Sequence, residues 1–63
     1  MRYTFTLKEI SDTLQGVVVG LRGAGLEEER ISPIVDDLIE DYVERGWLVA
    51  TKAASVKRGL SFA

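Results

Sequence analysis

The sequence predicts an α+β fold, a single domain over residues 1–63 ordered β-α-α-β-β, with two helices covering one face of a three-stranded antiparallel sheet. Three observations predict it. Alternating aromatic and polar residues open the chain, two stretches with helical apolar spacing and clear start signals fill its middle, and β-branched and aromatic residues return towards its end. At 63 residues the chain has room for one core only.

The first strand is expected over Arg2-Tyr3-Thr4-Phe5-Thr6, where Tyr3 and Phe5 share one face and polar groups the other. Thr6-Leu7-Lys8-Glu9 then fits a capping box, with Phe5 and Ile10 placed as its hydrophobic staple, so the first helix starts at Leu7. Leu7, Ile10, Leu14, Val17, Val18 and Leu21 keep helical spacing along it, and Gly23 and Gly25 end it. Ser32-Pro33 marks the second start, because Ser caps well and Pro at the first helical position loses only an N–H that had no partner. Ile34, Val35, Leu38, Ile39, Tyr42 and Val43 make one apolar side of a helix over about 33–45, stopped by Gly46. Residues 26–31 read as a separate piece before it, since a residue preceding Pro disfavours helix. Trp47 to Lys52 has strand composition, and residues 56–62 provide its antiparallel return. Between them Ala53-Ala54-Ser55 carries no Asn-Gly or Asp-Gly turn signal.

Composition narrows the chemistry. Cysteine and histidine are both absent, which removes disulfides, zinc sites, thiol nucleophiles and imidazole acid–base catalysis together. No enzyme activity, cofactor or metal is expected. The longest wholly apolar run is Trp47 to Ala50, and no leader-like segment opens the chain, so a complete cytoplasmic protein is the expectation.

The formal charge of −2 conceals a partition: residues 27–44 hold eight acids against Arg30, a net −7, while the remainder is +5. At about 100° per residue, Asp36, Asp37, Glu40, Asp41 and Glu44 fall on the arc opposite the apolar side of the second helix. They form a carboxylate stripe with neighbours ~5–6 Å apart, comparable to phosphates along a nucleic-acid strand. Stability does not account for it. The pairs Asp36/Glu40, Asp37/Asp41, Glu40/Glu44, Asp37/Glu40 and Asp41/Glu44 each cost roughly 0.2–0.5 kcal/mol, and within the helix only Asp41/Arg45 offsets them. The stripe is therefore either a solvated face or a surface that binds a basic partner.

Other signals are weaker. Arg45, Lys52, Lys57 and Arg58 give the C-terminal hairpin a positive edge, as in a winged-helix DNA-binding regulator or antitoxin, but the second helix would present five carboxylates to the phosphates. The first helix carries Lys8 and Arg22 at opposite ends and no Asn, Gln or Arg set at base-reading spacing, only Gln15. Gly16 and Gly20 form a G-x-x-x-G, expected to pack beneath Trp47 or Tyr42, with contact to a second copy as the alternative. Trp47 is expected as a core plug, with an interface anchor as the alternative. Glu27-Glu28-Glu29 and Asp36-Asp37 lack a calcium-loop pattern.

In size, acidity, absence of cofactor residues and a charged helix face, the chain resembles the small acidic anti-CRISPR inhibitors of phages that act on type I, Cascade-like surveillance complexes, several of which imitate DNA. The group shares no motif, so no residue role is carried over. The resemblance implies a host-cytoplasmic, non-enzymatic inhibitor that blocks target DNA binding, with the large PAM-recognising subunit of a type I-C complex as partner. Acting through the stripe, such a protein would bind a basic, nucleic-acid-binding protein surface, would not bind nucleic acid or membrane itself, and would be a monomer or weak homodimer. A self-associating structural subunit is the remaining alternative.

Overall fold

Thr6 and Glu9 start the first helix as a reciprocal pair. In the computed structural model, which describes residues 5–62, the Glu9 N–H donates to the Thr6 hydroxyl at 3.1 Å and the Thr6 N–H donates to the Glu9 carboxylate at 3.2 Å. From there α1 runs Leu7–Gly23. Its buried positions are Ile10, Leu14 and Val18, one row at i, i+4 and i+8. Leu7, expected on that row, is instead exposed.

The second helix departs from the expectation at its start. α2 runs Glu28–Glu44, with Glu27 as N-cap and Pro33 inside it. Pro33 has no N–H to give the Glu29 carbonyl four residues back, and a Pro in a helix interior costs about 3 kcal/mol. What offsets this is packing. Ile31 is completely buried, which is worth about 1.5–3 kcal/mol, and Glu28 and Glu29 in the first turn each gain about 0.3–1 kcal/mol from the helix dipole. Ile31, Val35 and Ile39 then make an unbroken i, i+4, i+8 row through the proline.

The two glycine stops share one geometry. Gly25 (φ +95°) and Gly46 (φ +77°) take the left-handed conformation that glycine reaches without steric cost. After α1, the Gly25 N–H donates to the Arg22 carbonyl at 2.9 Å and the Leu26 N–H to the Leu21 carbonyl at 3.1 Å. After α2, the Gly46 N–H donates to the Val43 carbonyl at 3.0 Å and the Trp47 N–H to the Tyr42 carbonyl at 2.9 Å. Both are Schellman turns, in which the residue after the glycine packs back on the last helical turn. Leu26 does so against the core, and Trp47 does so on Tyr42 with ring centroids 5.5 Å apart.

The expected C-terminal hairpin is absent. Residues 50–58 form a third helix, α3 (Ala50–Arg58), and no strand exists among the described residues, so the α+β sheet architecture gives way to an all-α bundle of three helices. Of the expected first strand, residues 2–4 lie outside the described residues, and Phe5 and Thr6 lead into α1 without pairing to another segment. The reason lies in the unmarked turn. Ala50, Ala53 and Ala54 are the strongest helix formers in the segment, Ala53, Val56 and Leu60 sit at helical spacing, and Lys57 and Arg58 fall in the last turn where the dipole favours cations. The strand-like residues Trp47 to Val49 are only a connector, from which Leu48 enters the core.

The core lies where the three helices meet, built from the two rows of α1 and α2 with Leu48, Val56 and Leu60, and fringed by Leu38, Tyr42, Val43 and Phe62. The C-terminal segment is fastened to α1 by a side chain. Gln15 donates from Nε2 to the Ser61 carbonyl and accepts from the Ser61 N–H at its Oε1, both at 2.8 Å.

Candidate functional site

The inward row Ile31, Val35 and Ile39 fixes which way the acids of α2 point. Asp36, Asp37, Glu40 and Glu44 are exposed and Asp41 is half-buried at one edge. All five occupy one side of one helix, and the structure divides them by their partners. Asp41 accepts from Arg45 Nε at 2.7 Å, and Asp36 pairs with Lys57 of α3 at 2.6 Å. The second pair was not legible while residues 56–62 were read as a strand.

That leaves a central ridge. Among the described residues no ion pair reaches Asp37, Glu40 or Glu44. Because α2 begins at Glu28, Glu29 joins the same outward side, a position hidden from a reading that started the helix at Pro33. From Glu29 to Glu44 the acidic side extends over roughly 22 Å at 1.5 Å per residue. The cationic flank, Lys57 at Asp36 and Arg45 at Asp41, borders the ridge without neutralising its centre.

Beside the Asp41 edge lies an aromatic cluster. Arg45, held by Asp41, places its guanidinium over the Trp47 ring at 5.2 Å from the centroid. Phe5 meets Trp47 edge-on with centroids 5.2 Å apart. Trp47 is 39% exposed and Phe5 40%, so the core-plug expectation for Trp47 is corrected: it is a surface aromatic, fixed by its position just past Gly46. The rings frame a recess of about 120 Å³ completed by Glu9, Ile10, Thr13 and Tyr42.

Gly16 and Gly20 are exposed, and a Cβ at either would meet nothing within 4 Å, so neither packs beneath Trp47 or Tyr42. Gln15 is taken up by Ser61 and is not free to read a base. Lys8 is tied to Asp12 at 2.9 Å, and this hydrogen bond, with the carboxylate charge, raises its pKa above the usual lysine value. Lys52, Lys57 and Arg58 lie on or at the end of α3, so the β-wing they were expected to edge is not formed. Among the described residues no three acids converge to hold a metal ion, and no helix is long and apolar enough to cross a membrane.

Comparison with protein-family models, with curated proteins and with solved structures finds no match.

Proposed function

We propose that the protein is a non-enzymatic inhibitor whose α2 lays its acidic ridge against a basic, nucleic-acid-binding surface of a partner protein and keeps nucleic acid off it. The observation that carries this reading is the set Asp37, Glu40 and Glu44, exposed on one side of one helix and outside every ion pair among the described residues. Like charges at i,i+3 and i,i+4 work against the helix that bears them. Opposite charge on a partner converts that repulsion into attraction and accelerates encounter by steering. Asp36 and Asp41 border the contact, each already holding a cation of its own chain.

This mode of action is that of DNA-mimicking anti-CRISPR proteins, and a type I, Cascade-like complex, in particular its DNA-recognition subunit, is the first partner to test. The competing regulator reading loses its wing, because Lys52, Lys57 and Arg58 sit on a short helix, Arg45 caps α2, and Arg45 and Lys57 are spent on Asp41 and Asp36. The decisive experiment reverses Asp37, Glu40 and Glu44 to Lys and measures target-DNA binding by the complex. The variant, folded by circular dichroism, is expected to lose inhibition, and inhibition by the unaltered protein is expected to weaken as ionic strength rises towards the range where the Debye length is about 8 Å. A folded triple variant that still blocks DNA as well as the original makes the ridge a solubilising face only.

A further inference from the structure

We infer that the recess framed by Phe5, Tyr42 and Trp47 receives an aliphatic side chain of the same basic partner, with a lysine or arginine of that partner seated on Glu9. This deepens the reading above and rests on it: the acidic ridge attracts the partner, and the recess fixes where it docks.

Size selects the side chain. An apolar cavity of about 150 Å³ admits benzene, so the recess of about 120 Å³, open on one side, matches a side chain the size of leucine, isoleucine or methionine. Its walls are largely apolar, and exposed aromatic rings held in fixed positions are the anchors around which interfaces form. Phe5 and Trp47 are held by their edge-on contact and by Arg45.

Charge selects the neighbour. Glu9 is the one charged residue of the lining. Its Oε1 takes both bonds from Thr6, from the N–H at 3.2 Å and from the hydroxyl at 3.1 Å, while no hydrogen bond among the described residues ends on Oε2. A cation next to the aliphatic side chain therefore finds an open carboxylate oxygen at the rim. The Asp41 and Arg45 pair occupies the side of the recess towards the ridge and neutralises itself, so the recess and the ridge offer a partner one sign of charge.

The chain has a single tryptophan, which makes its fluorescence a reporter of this recess alone. The experiment titrates the full chain with two short lysine–alanine peptides, one with a central leucine and one with serine in its place. The leucine peptide is expected to bind roughly tenfold tighter and to shift Trp47 emission, with the serine peptide leaving emission unchanged. Thr13→Leu, which fills the recess from an exposed helix position, is expected to abolish the preference. Glu9→Gln, which keeps the capping box, is expected to weaken both peptides and leave the ratio. Equal binding of the two peptides with no response from Trp47 overturns the recess while the ridge stands. Affinity for the leucine peptide that is undiminished with Asp37, Glu40 and Glu44 all changed to Lys sinks the ridge as the attracting surface while the recess stands. A doubled mass in sedimentation with Trp47 shielded, before any peptide is added, assigns the recess to a second copy and overturns the inference.

Discussion

α1 and α2 are each 17 residues long, each bury a row at i, i+4 and i+8, and each end in a Schellman turn on a left-handed glycine. Their inward faces and their ends are interchangeable in design. Their outward faces are not: α1 shows Gly16, Val19 and Gly20 to solvent, whereas α2 shows Asp37, Glu40 and Glu44. Packing and backbone closure dictate the shared half of each helix, and nothing in the fold dictates the other half. Both outward faces are worse for stability than simple alternatives, one through glycine and one through like charge. Residues that cost stability and support no core contact are where a role outside the fold is to be sought.

Four experiments separate the shared half of the two helices from the half that differs. The largest effect belongs to the shared inward rows: Leu14→Ala and Ile31→Ala are each expected to cost about 2–5 kcal/mol in denaturant unfolding. Parity between them is the point, because a small loss at Ile31 would mean that the turn before Pro33 is not docked and that the two helices differ in length. Next come the stops. Gly25→Ala and Gly46→Ala each force a side chain into the left-handed region and should lose roughly 1–2 kcal/mol; a loss at one only would show that the other turn relaxes.

The outward faces move stability the opposite way. Gly16→Ala and Gly20→Ala are each expected to gain about 0.5–1 kcal/mol, since a Cβ there meets nothing within 4 Å. A loss on either substitution would mean that α1 packs against something its own chain does not supply. The smallest change is neutralisation of Asp37, Glu40 and Glu44 to Asn, Gln and Gln, which should raise the melting temperature slightly, at roughly 0.2–0.5 kcal/mol per like-charge pair relieved. That gain should shrink as salt is added, and a gain indifferent to salt would point to a cause other than charge repulsion.

The local signals of the sequence reached the structure unevenly. The Thr6 and Glu9 box and the stops at Gly25 and Gly46 are determined by neighbours within a few residues, and they read correctly because no distant contact competes with them. Pro33 misled because its local cost is real and is outweighed by the burial of Ile31, a tertiary effect; the row Ile31, Val35 and Ile39 was the available sign that the helix runs through it. Residues 50–58 misled because flanking β-branched residues outweighed the alanines, although a hairpin with no turn residues at Ala53-Ala54-Ser55 was itself a contradiction. The acidic stripe was legible as a pattern. Of its two paired edges, Asp41 with Arg45 was legible from i,i+4 spacing, and Asp36 with Lys57 was not, because it depends on the packing of α3 against α2. The recess was invisible for the same kind of reason, being assembled from Phe5, α1 and the turn after α2.

The Gln15 clamp on Ser61 joins points 46 residues apart with two hydrogen bonds from one side chain. The bonds form and break as a pair, and between them they hold the last turn of chain over a bundle that is otherwise closed by apolar contact and the Asp36–Lys57 ion pair. Release of the tail needs only this pair and the burial of Leu60 and Phe62 to give way, while the inner rows of α1 and α2 stay packed. In deuterated solvent the Ser61 amide should thus exchange at the rate of tail opening and the amides of Leu14 and Val35 at that of global unfolding. The molecule carries, in a single amide, a clock for the detachment of its C-terminus that runs independently of the clock for its core.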